Sequence, residues 1–335
     1  MKFKEIYIKI MNFSFRAMRF ILRNLNPKTL FYILSLKHRR IIKFAGVAND
    51  ENKVLYFPTT YHFVNNIRSL NRFDNYDFLV QQNFLHKEFI DSKKPKVFFT
   101  MEPLEYMTEE SRKNMEDKKL MPFIYSYDEP NIRRRMFYTA LPDNKRPIIK
   151  KLERNLYEKR LRFCCIINRY ADDKRLNLLE ERIKFVKAMG SYIDIYGFDP
   201  WCGENRWKEI GNYVGPVNDK IQTLSKYNFA IAFENTDYPG YITEKIFDIM
   251  IAGTIPLYWG GESFTKESIP SQCYVDCRNR DANDVYMEIK SYSLEKIVNF
   301  RKAAIEFLKS GYSEKFTRRY WAMAVVKRLQ EQLKS

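Results

Sequence analysis

Two strand–helix–strand patterns in the second half of the chain constrain the fold more than any other feature. Arg162 to Asn168 (RFCCIIN), a helical pattern from Leu176 to Met189, and Tyr192 to Tyr196 (YIDIY) form the first. Asn228 to Phe233 (NFAIAF), a helix from Glu244 to Ala252, and Thr254 to Trp259 (TIPLYW) form the second. Gly190 and Gly197 punctuate the first unit, as expected where helices and strands stop. Short buried strands alternating with helices predict a parallel, doubly wound α/β sheet.

The first half has a weaker pattern. Arg40 to Tyr56 reads as strand-like pieces around a polar loop, Lys94 to Thr100 (KPKVFFT) as a short buried strand, and Met121 to Tyr127 as a further apolar run ended by Asp128, Glu129 and Pro130. The region between the first two reads as mostly helical or irregular. Ser293 to Leu308 and Ser313 to Leu333 carry helical patterns expected to close the second domain and pack back across the boundary. A length of 335 residues suits two domains. The expected organisation is a basic segment 1–45, a first α/β domain 46–155, a second 156–310 and a C-terminal helix 311–335, with the boundary in the charged stretch Lys150 to Tyr157.

The formal net charge of +17 attracts nucleic acid, anionic lipid or a phosphorylated small molecule. Its placement discriminates among them. Met1 to Ala45 holds eleven Lys and Arg against Glu5 alone, so the excess is concentrated at one end. The chain shows no recognition-helix or RNA-binding motif, and no basic stripe interleaved with aromatics, which argues against nucleic acid. Lys9, Arg16 and Arg19 break the apolar residues of this segment, so it matches neither a spanning helix nor a signal peptide. A cytoplasmic product is expected. The segment either lies on an anionic membrane surface or packs on the body with its basic face solvated. Cys164, Cys165, Cys202, Cys273 and Cys277 are odd in number, which fits reduced thiols. Cys273 and Cys277 stand far from His38, His62 and His86, so no metal site is expected.

The chemistry concentrates between Phe233 and Lys245. A strand ends, a polar loop follows, and Thr243 is placed to cap the next helix. Lys245 then falls in the first helical turn, where the helix dipole disfavours a cation. A phosphate at that terminus would accept the exposed N–H groups and pair with the lysine, while an ordinary exposed lysine would simply tolerate the cost. Glu244 would be repelled by a phosphate. It suits either a ribose hydroxyl pair or the helix dipole itself. Asn235, Tyr238 and Tyr241 occupy the loop at the strand's C-terminal end, where open α/β sheets bind ligands. On the other half, Glu102 follows the strand KVFFT and precedes Pro103, a suitable place for a general base, with Glu105 and Glu109 as competitors.

Phe233, Glu234 and Asn235, then Tyr241, Ile242, Thr243, Glu244 and Lys245, with Ala252, Gly253, Pro256 and Gly260 downstream, closely resemble the signature of the bacterial α-1,3-fucosyltransferases, glycosyltransferase family 10. The resemblance covers most of Arg162 to Gly261. It implies a GT-B architecture: two Rossmann-like domains facing an interdomain cleft, with C-terminal helices, the first domain binding acceptor and the second GDP-fucose. It also implies roles: Lys245 on the pyrophosphate, Glu244 on the ribose, Asn235 and Tyr241 on phosphates or ribose, and Arg182, by its spacing, completing the phosphate clamp. Glu102 as catalytic base corresponds to a family Gly-Glu pair in which Met101 here replaces the glycine. Tyr127, Asp128, Glu129 and the basic run Arg133 to Arg135 resemble an acceptor-side element. No Asp-x-Asp triplet occurs, so GDP-fucose is expected as donor substrate with no obligatory metal and no other cofactor. The expected reaction is inverting transfer of L-fucose to a hydroxyl, O3 of GlcNAc, of a surface glycan or lipopolysaccharide chain. The alternative is the same fold with another GDP-sugar or another acceptor linkage.

Overall fold

A computed structural model describes residues 42–45, 78–82, 96–99, 124–125, 141–170, 178–197, 206–238, 241–261 and 269–317, with isolated positions 91, 109, 113 and 320. Glu102, Cys202, the segment 1–41, and residues 127–129 and 133–135 lie outside them, as do the expectations attached to them. The chain divides into two compact units. One comprises Met1–Phe99, Glu109–Ile124 and Ala322–Ser335, the other Thr100–Thr108 and Tyr125–Trp321.

The first sheet has the order β1 (Ile42–Ala45), β2 (Phe78–Gln82), β3 (Lys96–Phe99), β4 (Ile124–Tyr125). β1 and β2 pair in parallel, with Ile42 opposite Phe78, and β2 pairs in parallel with β3. Three of these strands fall in the apolar runs read as strands. β2 falls in the region read as helical or irregular. Its sequence FLVQQ has only three apolar residues before two glutamines, too short a run to declare a period. Its pairing with strands on both sides makes it a strand.

The second unit carries a six-stranded sheet. In chain order its elements are α1 (Arg146–Arg154), β5 (Arg162–Ile167), α2 (Leu179–Met189), β6 (Ile193–Tyr196), α3 (Trp207–Ile210), β7 (Tyr213–Gly215), α4 (Lys220–Leu224), β8 (Tyr227–Phe233), α5 (Glu244–Ile251), β9 (Ile255–Trp259), β10 (Val275–Asp276), α6 (Ala282–Lys290) and α7 (Leu294–Lys309). The sheet order is β10-β9-β8-β5-β6-β7, with every pairing parallel.

Burial explains the layering. From Phe229 onward β8 side chains alternate between two cores: Phe229, Ile231 and Phe233 join Phe185, Val186 and Met189 of α2 and Val285 and Ile289 of α6 on one face. Tyr227, Ala230 and Ala232 face Ile246, Phe247, Ile249 and Met250 of α5 and Ala304, Ile305, Phe307 and Leu308 of α7 on the other. A strand covered on both faces must be apolar throughout, which is why NFAIAF shows no polar alternation. α1 carries Leu152 into the second of these cores, so the charged stretch KKLERNLY packs within the second unit. Among the described residues no helix is long and apolar enough to cross a membrane.

Candidate functional site

The six-strand order fixes where a ligand can enter. From β5 the chain winds outward through β6 and β7, then crosses back to β8 and winds the other way through β9 and β10. The loops leaving β5 and β8 therefore diverge at adjacent strands, whose pairing sets Ile166 opposite Ile231. Such a switch point leaves a crevice beyond the strand ends. Asn168, Arg182, Lys220 and Lys245 line it, over an apolar floor that includes Ile166, Ile231 and Phe233.

Glu234 organises this crevice. It is the first residue after β8 and is fully buried. Its Oε1 accepts from the Thr243 N–H at 2.7 Å and from the Tyr258 hydroxyl at 3.3 Å, while its Oε2 accepts from Thr243 Oγ1 at 2.7 Å and from Lys245 Nζ at 3.2 Å. A buried carboxylate is tolerable only with such partners. One side chain thereby ties the end of β8 to the start of α5 across the intervening loop. Thr243 has extended backbone and caps α5, its Oγ1 accepting from the Lys245 N–H, as the sequence predicts.

The disfavoured position of Lys245 has an internal explanation. Its ammonium donates to Glu234 and, at 3.1 Å, to Thr243 Oγ1, which offsets the dipole without any bound anion. The placement of a lysine in the first turn therefore does not by itself require a phosphate. An ammonium has three N–H donors, and these two bonds leave a third for the crevice that Lys245 lines.

Arg182 of α2 is almost wholly buried. Its Nη2 donates to the Phe233 carbonyl at 2.7 Å, the Glu234 carbonyl at 2.5 Å and Asn235 Oδ1 at 3.2 Å. It clamps the backbone at the end of β8 and orients Asn235, so these two predicted residues meet directly. Tyr241 differs from the expectation of an open ligand contact, because its ring is buried in the core beneath α5. Glu244 begins α5 half-exposed and lies 3.8 Å from Lys220 Nζ, which also pairs with Asp248 at 2.7 Å. Burial pushes the Glu244 carboxyl up, but Lys245 and Lys220 outweigh it and hold it below the ordinary carboxylate range. For Lys220, burial opposes charge and is outweighed by Asp248, Glu244 and Glu234, so its ammonium is held above the usual value. Both groups stay ionised at neutral pH.

Glu234 and Lys220 are residues that sequence reasoning left out of the site. Arg278, just past β10, donates from Nη2 to the Gly260 carbonyl at 2.7 Å, and its Nε lies 3.7 Å from Asp237, which also accepts from Trp259 Nε1. Glu234 did have a signal: a carboxylate directly after a wholly apolar strand is buried unless the loop turns outward, and it then needs a cation. Lys220 had none, since only the fold brings it to α5.

Gly260 is required by contact. A Cβ there would stand 2.4 Å from Glu234 Cγ and 2.9 Å from Glu234 Cβ. Gly260→Ala is expected to displace the Glu234 side chain and cost about 1–3 kcal/mol, an overpacking penalty. Thermal unfolding should show a loss of several degrees.

Residues 156–292 match the model of glycosyltransferase family 10 (fucosyltransferase), C-terminal part. This matched region covers less than half of the chain. It includes the whole switch-point crevice and the Glu234–Lys245 pair. The alpha-(1,3)-fucosyltransferase of Helicobacter pylori is 31% identical over 137 residues, 39% of this chain and 27% of that protein. The human 4-galactosyl-N-acetylglucosaminide 3-alpha-L-fucosyltransferase 9 is 30% identical over 97 residues, 28% of this chain and 24% of that protein. A putative fucosyltransferase of Acanthamoeba polyphaga mimivirus is 48% identical over 89 residues, 25% of this chain and 15% of that protein. The matches thus span about a quarter or less of these relatives' lengths. Across more of the chain, a crystal structure of an alpha1,3-fucosyltransferase with GDP shares the fold: 87% of this chain and 90% of that one superpose with a TM-score of 0.53 at 18% identity. The α/β fold class expected from the sequence, with parallel sheets of the GT-B kind, is the one observed.

Proposed function

We propose that this chain is an inverting glycosyltransferase that moves L-fucose from GDP-fucose to a sugar hydroxyl, O3 of GlcNAc, of a surface glycan or lipopolysaccharide. The observation that carries the donor half of this reading is the crevice at the β5/β8 switch point, where Lys245, Lys220 and Arg182 converge inside the family 10 region. A nucleoside diphosphate needs cations at its phosphates and an acceptor for its ribose hydroxyls. Lys245 lines the crevice with one ammonium N–H beyond its two internal hydrogen bonds, and Glu244 is an ionised carboxylate next to it in the chain.

In the transfer, the diphosphate leaves as the glycosidic bond breaks and negative charge gathers on its oxygens. Lys245 and Lys220 supply positive charge where it develops. Glu234 keeps the hydroxyl and N–H of Thr243 and the Tyr258 hydroxyl when Lys245 turns to the ligand, so the pocket frame does not depend on the lysine staying put. Arg182 acts by holding the strand end and Asn235 in position. Attack by the acceptor oxygen on the anomeric carbon requires a base, and Glu102 is proposed for it on its sequence context. The basic segment 1–45 is proposed to meet an anionic membrane surface on the cytoplasmic side.

The deciding experiment is linkage analysis of the products made from GDP-fucose and a small panel of acceptors. Release of GDP with a fucosylated, O3-linked lactosamine-type product is the expected result. Turnover with another GDP-sugar but not with GDP-fucose would overturn the donor assignment, and linkage at another hydroxyl would overturn the acceptor assignment alone. A ligand at a hundred times its Kd stabilises by about 2.7 kcal/mol, so a thermal-shift panel of nucleotides would separately read the preference for guanine.

A further inference from the structure

At the edge of the second sheet opposite the switch-point crevice, the N-terminal ends of β5, β8 and β9 meet α1 and α7 around a cavity of about 110 Å³. One water needs only ~10–15 Å³ in that measure, so the cavity has room for several waters or one polyatomic ion. Two arginines line it. Arg160, just before β5, is 9% exposed and Arg301 of α7 is 4% exposed.

Their hydrogen bonds go to neutral acceptors. Arg160 donates from Nη1 to the Tyr227 carbonyl at 2.7 Å and to Thr254 Oγ1, and from Nη2 to the Ala252 carbonyl at 2.9 Å. Arg301 donates from Nη1 to the carbonyls of Leu156 and Glu158 and from Nη2 to Asn228 Oδ1. The Nε–H of each is buried and has no hydrogen-bond acceptor among the described residues. A charged group this deeply buried is ordinarily matched by an opposite charge.

The cavity supplies little of it. Among the described residues its lining adds only one exposed cation, Lys151, and one exposed carboxylate, Glu158. Cys273 also lines it, but burial pushes that thiol up to about 12, so it contributes no thiolate. Burial and the charge of Arg301 together pull Arg160 down to about 10, and burial lowers Arg301 as well. The backbone is fitted around this cluster. Gly253 has φ +72°, and a Cβ on it would stand 2.8 Å from Arg160 Nη2 and 2.9 Å from Leu152 Cδ2.

We propose that this cavity binds a small oxyanion, a phosphate or carboxylate group, between the guanidinium groups of Arg160 and Arg301, at a site separate from the nucleotide crevice. The phosphate arm and the carboxylate arm are told apart by the salt used. The protein would be unfolded thermally in sodium phosphate, sodium acetate and sodium chloride at matched ionic strength. Phosphate or acetate should raise the midpoint, by roughly 5–10 °C at a hundred times its dissociation constant, and chloride should not match it.

Ser225 also lines the cavity, so Ser225→Asp keeps both arginines and adds a carboxylate to the lining, in competition with the anion. This variant should lose the response, as should Arg301→Gln. If Arg301→Gln does not fold, Ser225→Asp carries the test alone. No rise in the wild type, an equal rise in chloride, or an undiminished phosphate response in Ser225→Asp would each overturn the proposal. Because the variants lie at the far edge of the sheet, the outcome is independent of which nucleotide sugar the crevice takes.

Discussion

Glu234→Ala is expected to destabilise the second unit by about 3–5 kcal/mol, the usual cost of removing one partner from a buried ion pair. The substitution withdraws the acceptor from the Thr243 N–H, the Thr243 hydroxyl, the Tyr258 hydroxyl and Lys245 Nζ at once, and it leaves a void beneath the loop. For a unit of this size the midpoint of thermal unfolding should fall by about 10 °C. Glu234→Gln keeps the shape and one amide oxygen but loses the charge, so it should fall between the wild type and the alanine variant. If Glu234→Ala unfolded with the wild-type midpoint, the carboxylate would not be what joins β8 to α5.

Lys245→Ala should act on turnover more than on stability. Glu234 retains three neutral donors when the lysine is removed but loses its cation, so the melt should fall by less than in Glu234→Ala while the crevice loses a positive charge. Deleting a group aimed at charge developing in a transition state typically costs 10²- to 10³-fold in kcat, and a loss of about that size is expected for fucose transfer. The measurement is initial-rate kinetics beside a thermal melt on the same preparation. Transfer at the wild-type rate would remove Lys245 from the chemistry. A rate loss with an equally large fall in midpoint would make it a structural residue like Glu234.

The second unit was legible in the sequence because each of its cues is local. NFAIAF and TIPLYW are apolar on both strand faces, and Thr243 caps its helix through an atom two residues from the N–H it meets. β2 was not legible, since FLVQQ becomes a strand only by pairing with neighbours distant in the chain. Tyr241 looked like a ligand contact because tyrosine in a polar loop is ambiguous between a surface and a core position. Packing beneath α5 resolved it toward the core.

Lys245 shows the same divide. The cost of a cation in a first helical turn can be read from the sequence, but its compensation cannot. Glu234 is eleven residues away and reaches Lys245 only because β8 ends where α5 begins, and Lys220 reaches Glu244 and Asp248 only through the packing of α4 beside α5. Arg182 meets the β8 carbonyls from a helix some fifty residues earlier in the chain.

By itself the sequence determined the doubly wound layering, the N-cap of α5 and the motif within residues 156–292 that matches the family 10 model. Periodicity and capping act within a few residues, so a linear reading can recover them. Only the tertiary structure decided which charges neutralise one another, that Arg182 holds backbone, and that Arg160 and Arg301 share a cavity with a single carboxylate. Burial and Coulomb interactions depend on distance through space, and the crossover from β7 back to β8 is what turns residues far apart in the chain into neighbours.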